Sequence, residues 1–190
     1  MHQIWHLRRV VAVPYRLSLS GSPGSGKSTL AKEFERLGFH VISVKELAED
    51  YDCIGEIDSD DNARPIDLDK LVDSIEEEWQ NNPPEPLIID GHLSHHLPSD
   101  AVVVLRCSPD ILKKRMLKRG YSESKIRSNC DWEILGSSWN ERQGDIPWTE
   151  FDTTENEVHS ILMSLSLWIS DGFKPDTPPS VIDWVSKMED

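Results

Sequence analysis

The sequence predicts an α/β fold in which five parallel strands form one sheet, with helices on both faces in a three-layer sandwich. Short apolar runs at 15–20, 39–42, 87–90, 101–105 and 148–151 alternate with stretches of helical period, the pattern of a sheet built from crossover units. Leu87-Ile88-Ile89 and Ala101-Val102-Val103-Val104-Leu105 show no polar alternation, as expected of parallel strands buried on both faces. Between the first strand and the first helix stands Gly21-Ser22-Pro23-Gly24-Ser25-Gly26-Lys27-Ser28, which fits G-x-x-x-x-G-K-[ST]. Strand, glycine loop and helix in that order make the fold a P-loop NTPase one, with ligand at the strand C-terminal ends.

The elements follow in order. Residues 1–14 precede the first strand, Tyr15 to Ser20, and form an N-terminal extension of unspecified structure. Leu30, Phe34 and Leu37 give the first helix an apolar face, and Gly38 is placed as its C-terminal cap. Ser43 with Glu46 makes a capping box for a short helix after the second strand. Residues 50–66 are acidic and irregular, and a loop of that length in a compact domain is more often functional than idle. Asp67 caps the next helix, whose Leu68, Leu71, Val72, Ile75 and Trp79 share one face, so Trp79 belongs to the core. Ser108-Pro109 opens the helix after the fourth strand. Ser122 is expected to start a helix running to about Gln143, and Thr154 with Glu157 to cap the last one. The tail from Asp171 is broken by Pro175, Pro178 and Pro179, with an amphipathic segment at Val181–Val185 that can dock on the domain.

Composition narrows the partners. Lys plus Arg number 20 against 34 Asp plus Glu, a net charge of −14, which opposes non-specific attraction to nucleic acid or anionic membranes. Basic residues concentrate between Arg106 and Arg127, either a site for a local anion or a solvated helix face. Cys53, Cys107 and Cys130 lack metal-ligand spacing and fit reduced thiols. With no long apolar run and no signal peptide, the expectation is a soluble, cytoplasmic protein.

The chemistry starts at the loop. Gly24 and Gly26 let the backbone wrap closely and aim N–H groups at an anion, with Ser25 between them. Lys27 can reach the β- and γ-phosphates of ATP, the Ser28 hydroxyl can ligate Mg²⁺, and Thr29 is a further phosphate contact. Asp90 ends the third strand, where a carboxylate can hold Mg²⁺ or its water; a turn aspartate at Asp90-Gly91 is the plain alternative. His92 is expected near the nucleotide as an orienting or proton-handling group. His95 and His96 follow; a metal site built from them needs a further ligand, and the alternative is loop histidines touching water. The basic island lies between the fourth and fifth strands, where nucleoside monophosphate kinases carry a closing lid. Arg119 beside Gly120, then Arg115 and Arg127, are the expected phosphate-facing arginines.

Together GSPGSGKSTL (21–30), RPIDLDKLVD (64–73), IIDGH (88–92) and RGYSESKIRSN (119–129), with Glu133 nearby, resemble the adenylate kinase isoenzyme 6 (CINAP) family in its archaeal form, over residues 17–170. The resemblance implies a nucleoside monophosphate kinase-like fold with a monophosphate-binding segment at 43–66 and a lid at 118–128 in a kinase domain spanning 15–171; the N-terminal extension, 1–14, and the proline-rich tail, 172–190, lie outside it. It implies Mg²⁺-dependent transfer from ATP to AMP, with Lys27, Asp90, His92 and Arg119 catalytic and Ser28 and Asp90 at the metal. It also implies ATP hydrolysis and a role in small ribosomal subunit maturation, with a platform ribosomal protein and pre-rRNA as partners. An ATP-driven assembly factor is therefore the alternative to a kinase, and the acidic 50–61 loop is suited to a basic ribosomal protein. A kinase of another small molecule on the same fold is a third reading. One position departs from some relatives: Glu49 follows Leu47-Ala48 where they carry arginine, and a carboxylate there repels an AMP phosphate unless Arg64 substitutes.

Overall fold

The computed structural model describes residues 13–57, 64–177 and 181–188. Most of the expected N-terminal extension, residues 58–63 of the acidic loop and parts of the tail lie outside the described residues.

One sheet has the order β2-β3-β1-β4-β5, formed by β1 (Arg16–Ser20), β2 (His40–Ser43), β3 (Leu87–Asp90), β4 (Ala101–Arg106) and β5 (Trp148–Asp152). Every pairing is parallel, and Leu19 lies opposite both Asp90 and Val103. That register brings the C-terminal ends of β1, β3 and β4 together, so the glycine loop and Asp90 leave the sheet side by side.

The two faces of the central strands are both covered. On one, Leu17, Leu19, Ile88, Val103 and Leu105 meet Leu30 and Phe34 of α1 (Lys27–Arg36) and Ile161, Leu165 and Ile169 of α7 (Val158–Ser170). On the other, Ile89 packs with α2 (Val44–Asp50) and α3 (Leu68–Trp79), while Val102 and Val104 meet Trp148 and Trp139 of α6 (Ser137–Asn140). Each of these large apolar side chains stabilises the fold by about 1.5–3 kcal/mol through burial. Helices α4 (Pro109–Lys118) and α5 (Glu123–Ile134) form a hairpin beyond β4, and α8 (Trp184–Met188) closes the described chain. Arg16, Ser18 and Ser20 are the polar half of β1 and are buried all the same. The serines bond the turn over the sheet: Ser18 Oγ donates to Ser94 O at 2.8 Å, and Ser20 Oγ lies 3.1 Å from His92 O.

Local signals formed as read at most ends. The Ser43–Glu46 capping box is present, Asp67 accepts from Lys70 N, and Pro109 stands in the first turn of α4. Trp79 is half-buried against the α2–α3 core, with the Arg16 guanidinium 4.7 Å above its ring.

Two expectations are corrected. The helix from Ser122 ends at Ile134, because Gly136 turns left-handed (φ 63°) and restarts the chain as α6. That break releases the Glu133 carbonyl to accept from Arg106 Nη2 at 2.8 Å. Thr154 does not cap α7: the N-cap is Glu157, without a side-chain bond, and Thr154 Oγ1 accepts from Ser108 N at 2.8 Å.

Candidate active site

The glycine loop is held in shape by contacts the linear sequence hides. Gly21 has φ 126°, and a Cβ there would lie 2.2 Å from the Leu105 carbonyl oxygen, so only glycine lets the loop cross the end of β4. Ser22 Oγ donates to Glu133 Oε2 at 2.5 Å. Glu133 Oε1 accepts from Arg106 Nε at 2.6 Å and Trp184 Nε1 at 2.9 Å, and Arg106 Nη1 also reaches Glu150 at 2.9 Å. All three charged groups are buried. A network of this kind is stable because every member is both paired and hydrogen-bonded. At the far side of the loop, Thr153 Oγ1 lies 2.7 Å from Ser25 O, and Arg115 donates to Thr153 O at 2.8 Å and to Gly24 O at 3.3 Å.

Lys27 opens α1 and folds back over the loop, donating to Gly21 O at 2.7 Å and Ser22 O at 3.1 Å. Burial pushes its ammonium down to about 8 against the partial support of Asp90 and Glu133, with Arg119 adding to the fall. Asp90 is shifted the other way. Loss of water raises its carboxyl, while Lys27 and a hydrogen bond from Ser28 draw it back. Its Oδ1 is buried without a hydrogen-bond partner among the described residues. An unpartnered carboxylate oxygen beside a serine hydroxyl suits a hard cation with oxygen ligands, so Ser28 and Asp90 fit Mg²⁺. His92 reaches solvent at the cavity, and its imidazole is lowered by partial desolvation and by Lys27, so that it is neutral at pH 7.

These groups line one cavity of about 730 Å³. Gly24, Gly26, Lys27, Ser28, Asp90, His92 and Arg119 all face it, together with Lys45, Arg64, Tyr121 and Lys125. A second cavity of about 240 Å³ adjoins it through Gly24, Gly26 and Arg119, and carries Thr29, Arg115 and Asn156. Arg119 is exposed at the end of α4, followed by Gly120 at φ 74°. Ser25 lines neither cavity: it is fully buried beneath the loop. Arg115 faces the smaller cavity with its guanidinium committed to the loop carbonyl and Thr153. Arg127 lines neither cavity. Glu49 ion-pairs with Lys45 at 3.4 Å, and Arg64 Nε donates to Gly55 O at 3.0 Å.

Sequence reasoning missed Glu133 as a loop anchor, and with it Arg106, Thr153 and Trp184. The resemblance names Glu133 only as a residue near the lid stretch, and nothing in its sequence neighbourhood names Ser22 as partner.

Residues 18–136 match the family described as AAA domain. A Methanocaldococcus jannaschii protein named "Putative adenylate kinase" is 36% identical over 179 residues, covering 92% of this chain and 96% of its own length. The chain belongs to the adenylate kinase isoenzyme 6 family in its archaeal form. Within that family, the Caenorhabditis elegans "Adenylate kinase isoenzyme 6 homolog" is 38% identical over 123 residues, 63% of this chain and 67% of its own. The family fold is that of P-loop kinases: a shikimate kinase from Acinetobacter baumannii superposes with TM-score 0.59 at 14% identity, covering 89% of this chain and 99% of its own. No helix among the described residues is long and apolar enough to cross a membrane.

Proposed function

We propose that the protein is a Mg²⁺-dependent nucleoside monophosphate kinase that transfers the γ-phosphate of ATP to AMP. The observation that carries this reading is the 730 Å³ cavity, whose lining joins the glycine loop, Lys27, Ser28 and Asp90 to a second set of cations, Lys45 and Arg64. A hydrolase needs only the first set. Two cationic walls suit two phosphate-bearing substrates held end to end, which converts a bimolecular encounter into an oriented transfer.

In this reading the loop amides and the N-terminus of α1 bind the β-phosphate. Lys27 exchanges its bonds to the Gly21 and Ser22 carbonyls for phosphate oxygens, a transfer its low pKa makes favourable, because a bound polyanion restores the charge that burial disfavours. Ser28 and Asp90 would hold Mg²⁺, which would supply positive charge to the transferring phosphate. Arg119 on the lid, 118–128, closes over the migrating phosphoryl and excludes water. His92, neutral, orients the acceptor or its attacking water through a hydrogen bond. The monophosphate segment is 43–66, with Lys45 and Arg64 supplying positive charge where Glu49 does not; its residues 58–63 lie outside those described.

The Lys45–Glu49 pair favours a second reading. It partly neutralises a cation on the acceptor side, which weakens AMP binding and leaves water as acceptor. The protein is then an ATPase whose nucleotide state governs a small-subunit platform ribosomal protein and pre-rRNA. Separating ADP formed from AMP from phosphate released, with Lys27→Ala and Asp90→Asn beside the wild type, tests both. AMP-dependent ADP formation well above phosphate release supports the kinase. Phosphate release alone, lost in both variants, supports the ATPase. Turnover in neither channel overturns both.

A further inference from the structure

The turn after β3 carries a second set of ligating side chains that the phosphate site does not use. His95 and His96 stand on the 3₁₀ turn Ser94–His96, and Glu141 follows α6. Their donor atoms all lie within 4.8 Å of one another. Glu141 Oε2 is 2.8 Å from His95 Nε2 and 3.5 Å from His96 Nε2, and the imidazole centroids are 4.0 Å apart. Glu141 is the further ligand that two adjacent histidines lack in the sequence.

Hydrogen-bond accounting that gives the Ser20 proton to the His92 carbonyl selects one tautomer of the His95 ring. The His92 carbonyl can only accept, so the Ser20 hydroxyl 3.1 Å away donates to it. The same hydroxyl, 2.6 Å from His95 Nδ1, then accepts from that nitrogen. A neutral ring protonated on Nδ1 aims its Nε2 lone pair at the Glu141 carboxylate. In that tautomer two acceptors face each other at 2.8 Å, and a cation between them, a proton or a metal ion, relieves the repulsion. Ser20 is fully buried and orients the ring as the outer partner of a metal-ligating imidazole does.

We propose that His95, His96 and Glu141 bind one divalent transition-metal ion, of which zinc best matches the donors, with a fourth coordination position open. Two imidazoles and a carboxylate are the ligand set of three-ligand zinc sites that keep a position free. With metal–ligand bonds of about 2.0–2.2 Å, tetrahedral donors lie about 3.3 Å apart, and the observed 2.8 and 3.5 Å bracket that separation. Imidazole disfavours Mg²⁺ here, which takes oxygen ligands. His95, His96 and Glu141 all line a cavity of about 250 Å³ that Gly21, Ser22, Pro23 and Trp132 also line, behind the glycine loop. Bound zinc ties the β3 exit to the segment leading into β5, and shares no ligand with the Ser28–Asp90 site. The inference stands independently of the phosphoryl acceptor.

The test is zinc binding by the full-length chain after chelator treatment, followed by dialysis and metal analysis, with Co²⁺ as an absorbing substitute. His96→Ala and Glu141→Gln change half-exposed side chains, and circular dichroism confirms that each variant is folded. The expected result is one equivalent of zinc in the wild type, an intense visible Co²⁺ band typical of tetrahedral sites, and at least about tenfold weaker zinc binding in each variant. Should Glu141→Gln not fold, Glu141→Asp shortens the ligand while keeping its charge, and the same loss of affinity is expected. Absence of zinc binding overturns the proposal and leaves an imidazolium–carboxylate pair. Zinc binding unchanged in the variants also overturns it, and assigns the metal to other side chains.

Discussion

Replacing Glu133 with alanine removes four acceptor contacts at once. Ser22 Oγ, Arg106 Nε and Trp184 Nε1 lose their carboxylate, and so does Cys107 N at 3.3 Å. Breaking a buried ion pair by deleting one partner costs about 3–5 kcal/mol. Arg106 keeps Glu150 at 2.9 Å, which places this loss near the lower end, at about 3 kcal/mol. For a domain of this size that is a fall in Tm of about 6–12 °C. Glu133→Gln keeps the shape and an acceptor and gives up only the charge, for about 1 kcal/mol. Because Ser22 is in the glycine loop, its lost tether weakens ATP binding by about fivefold even where the variant is fully folded. Denaturant unfolding at pH 7 for both variants, with ATP titration well below the melting temperature, measures these quantities. The reasoning is refuted if Glu133→Ala costs less than about 1 kcal/mol, or if glutamine costs as much as alanine.

Three further outcomes are expected. Lys27 has a folded pKa of about 8, below its ordinary 10.5. The folded state therefore holds fewer protons than the unfolded chain between those values, and Lys27 penalises stability fully below pH 8 and progressively less as pH rises toward 10.5. Binding runs the opposite way: kcat/KM for ATP falls as pH passes through about 8, where free Lys27 loses its charge, and a profile flat to pH 9.5 would contradict this. Gly21→Ala, whose Cβ meets the Leu105 carbonyl at 2.2 Å, abolishes ATP binding in a calorimetric titration while leaving most helical circular dichroism in place; retained affinity would show that the loop can shift. Asp90→Asn raises the Mg²⁺ concentration for half-maximal turnover by about 10–100-fold, and an unchanged requirement would place the ion elsewhere.

How far these features could be read in advance depends on sequence distance. The loop, its lysine and the Ser43 and Asp67 caps were legible because each is a local pattern with a local geometric demand. Asp90 was legible because an apolar strand ends on it, and parallel register does the rest. Glu133 and Ser22 were not, since their bond spans 111 positions and depends on Gly136 ending α5 where it does. Thr154 misled for a similar reason. A threonine three residues before a glutamate is a local cap signal, and the distant Ser108 amide took its oxygen instead. Ser20 and His95, 75 positions apart, follow the same rule: polar residues on an interior strand announce a partner without naming it.

The tail also bears on how copies of the protein treat one another. In the order β2-β3-β1-β4-β5, β5 is a boundary strand, and unpaired amides along such a boundary invite a strand from a neighbouring molecule. Here the Trp148 amide donates to the Asp176 carbonyl at 2.7 Å, and Trp168 Nε1 holds Pro175 O at 2.9 Å. The segment around Pro175 thus occupies the start of the boundary without extending the sheet, since proline has no amide to offer the next strand. A chain shortened before it would also lose Trp184 from the Glu133 network that anchors the phosphate loop, and would expose a template for aggregation.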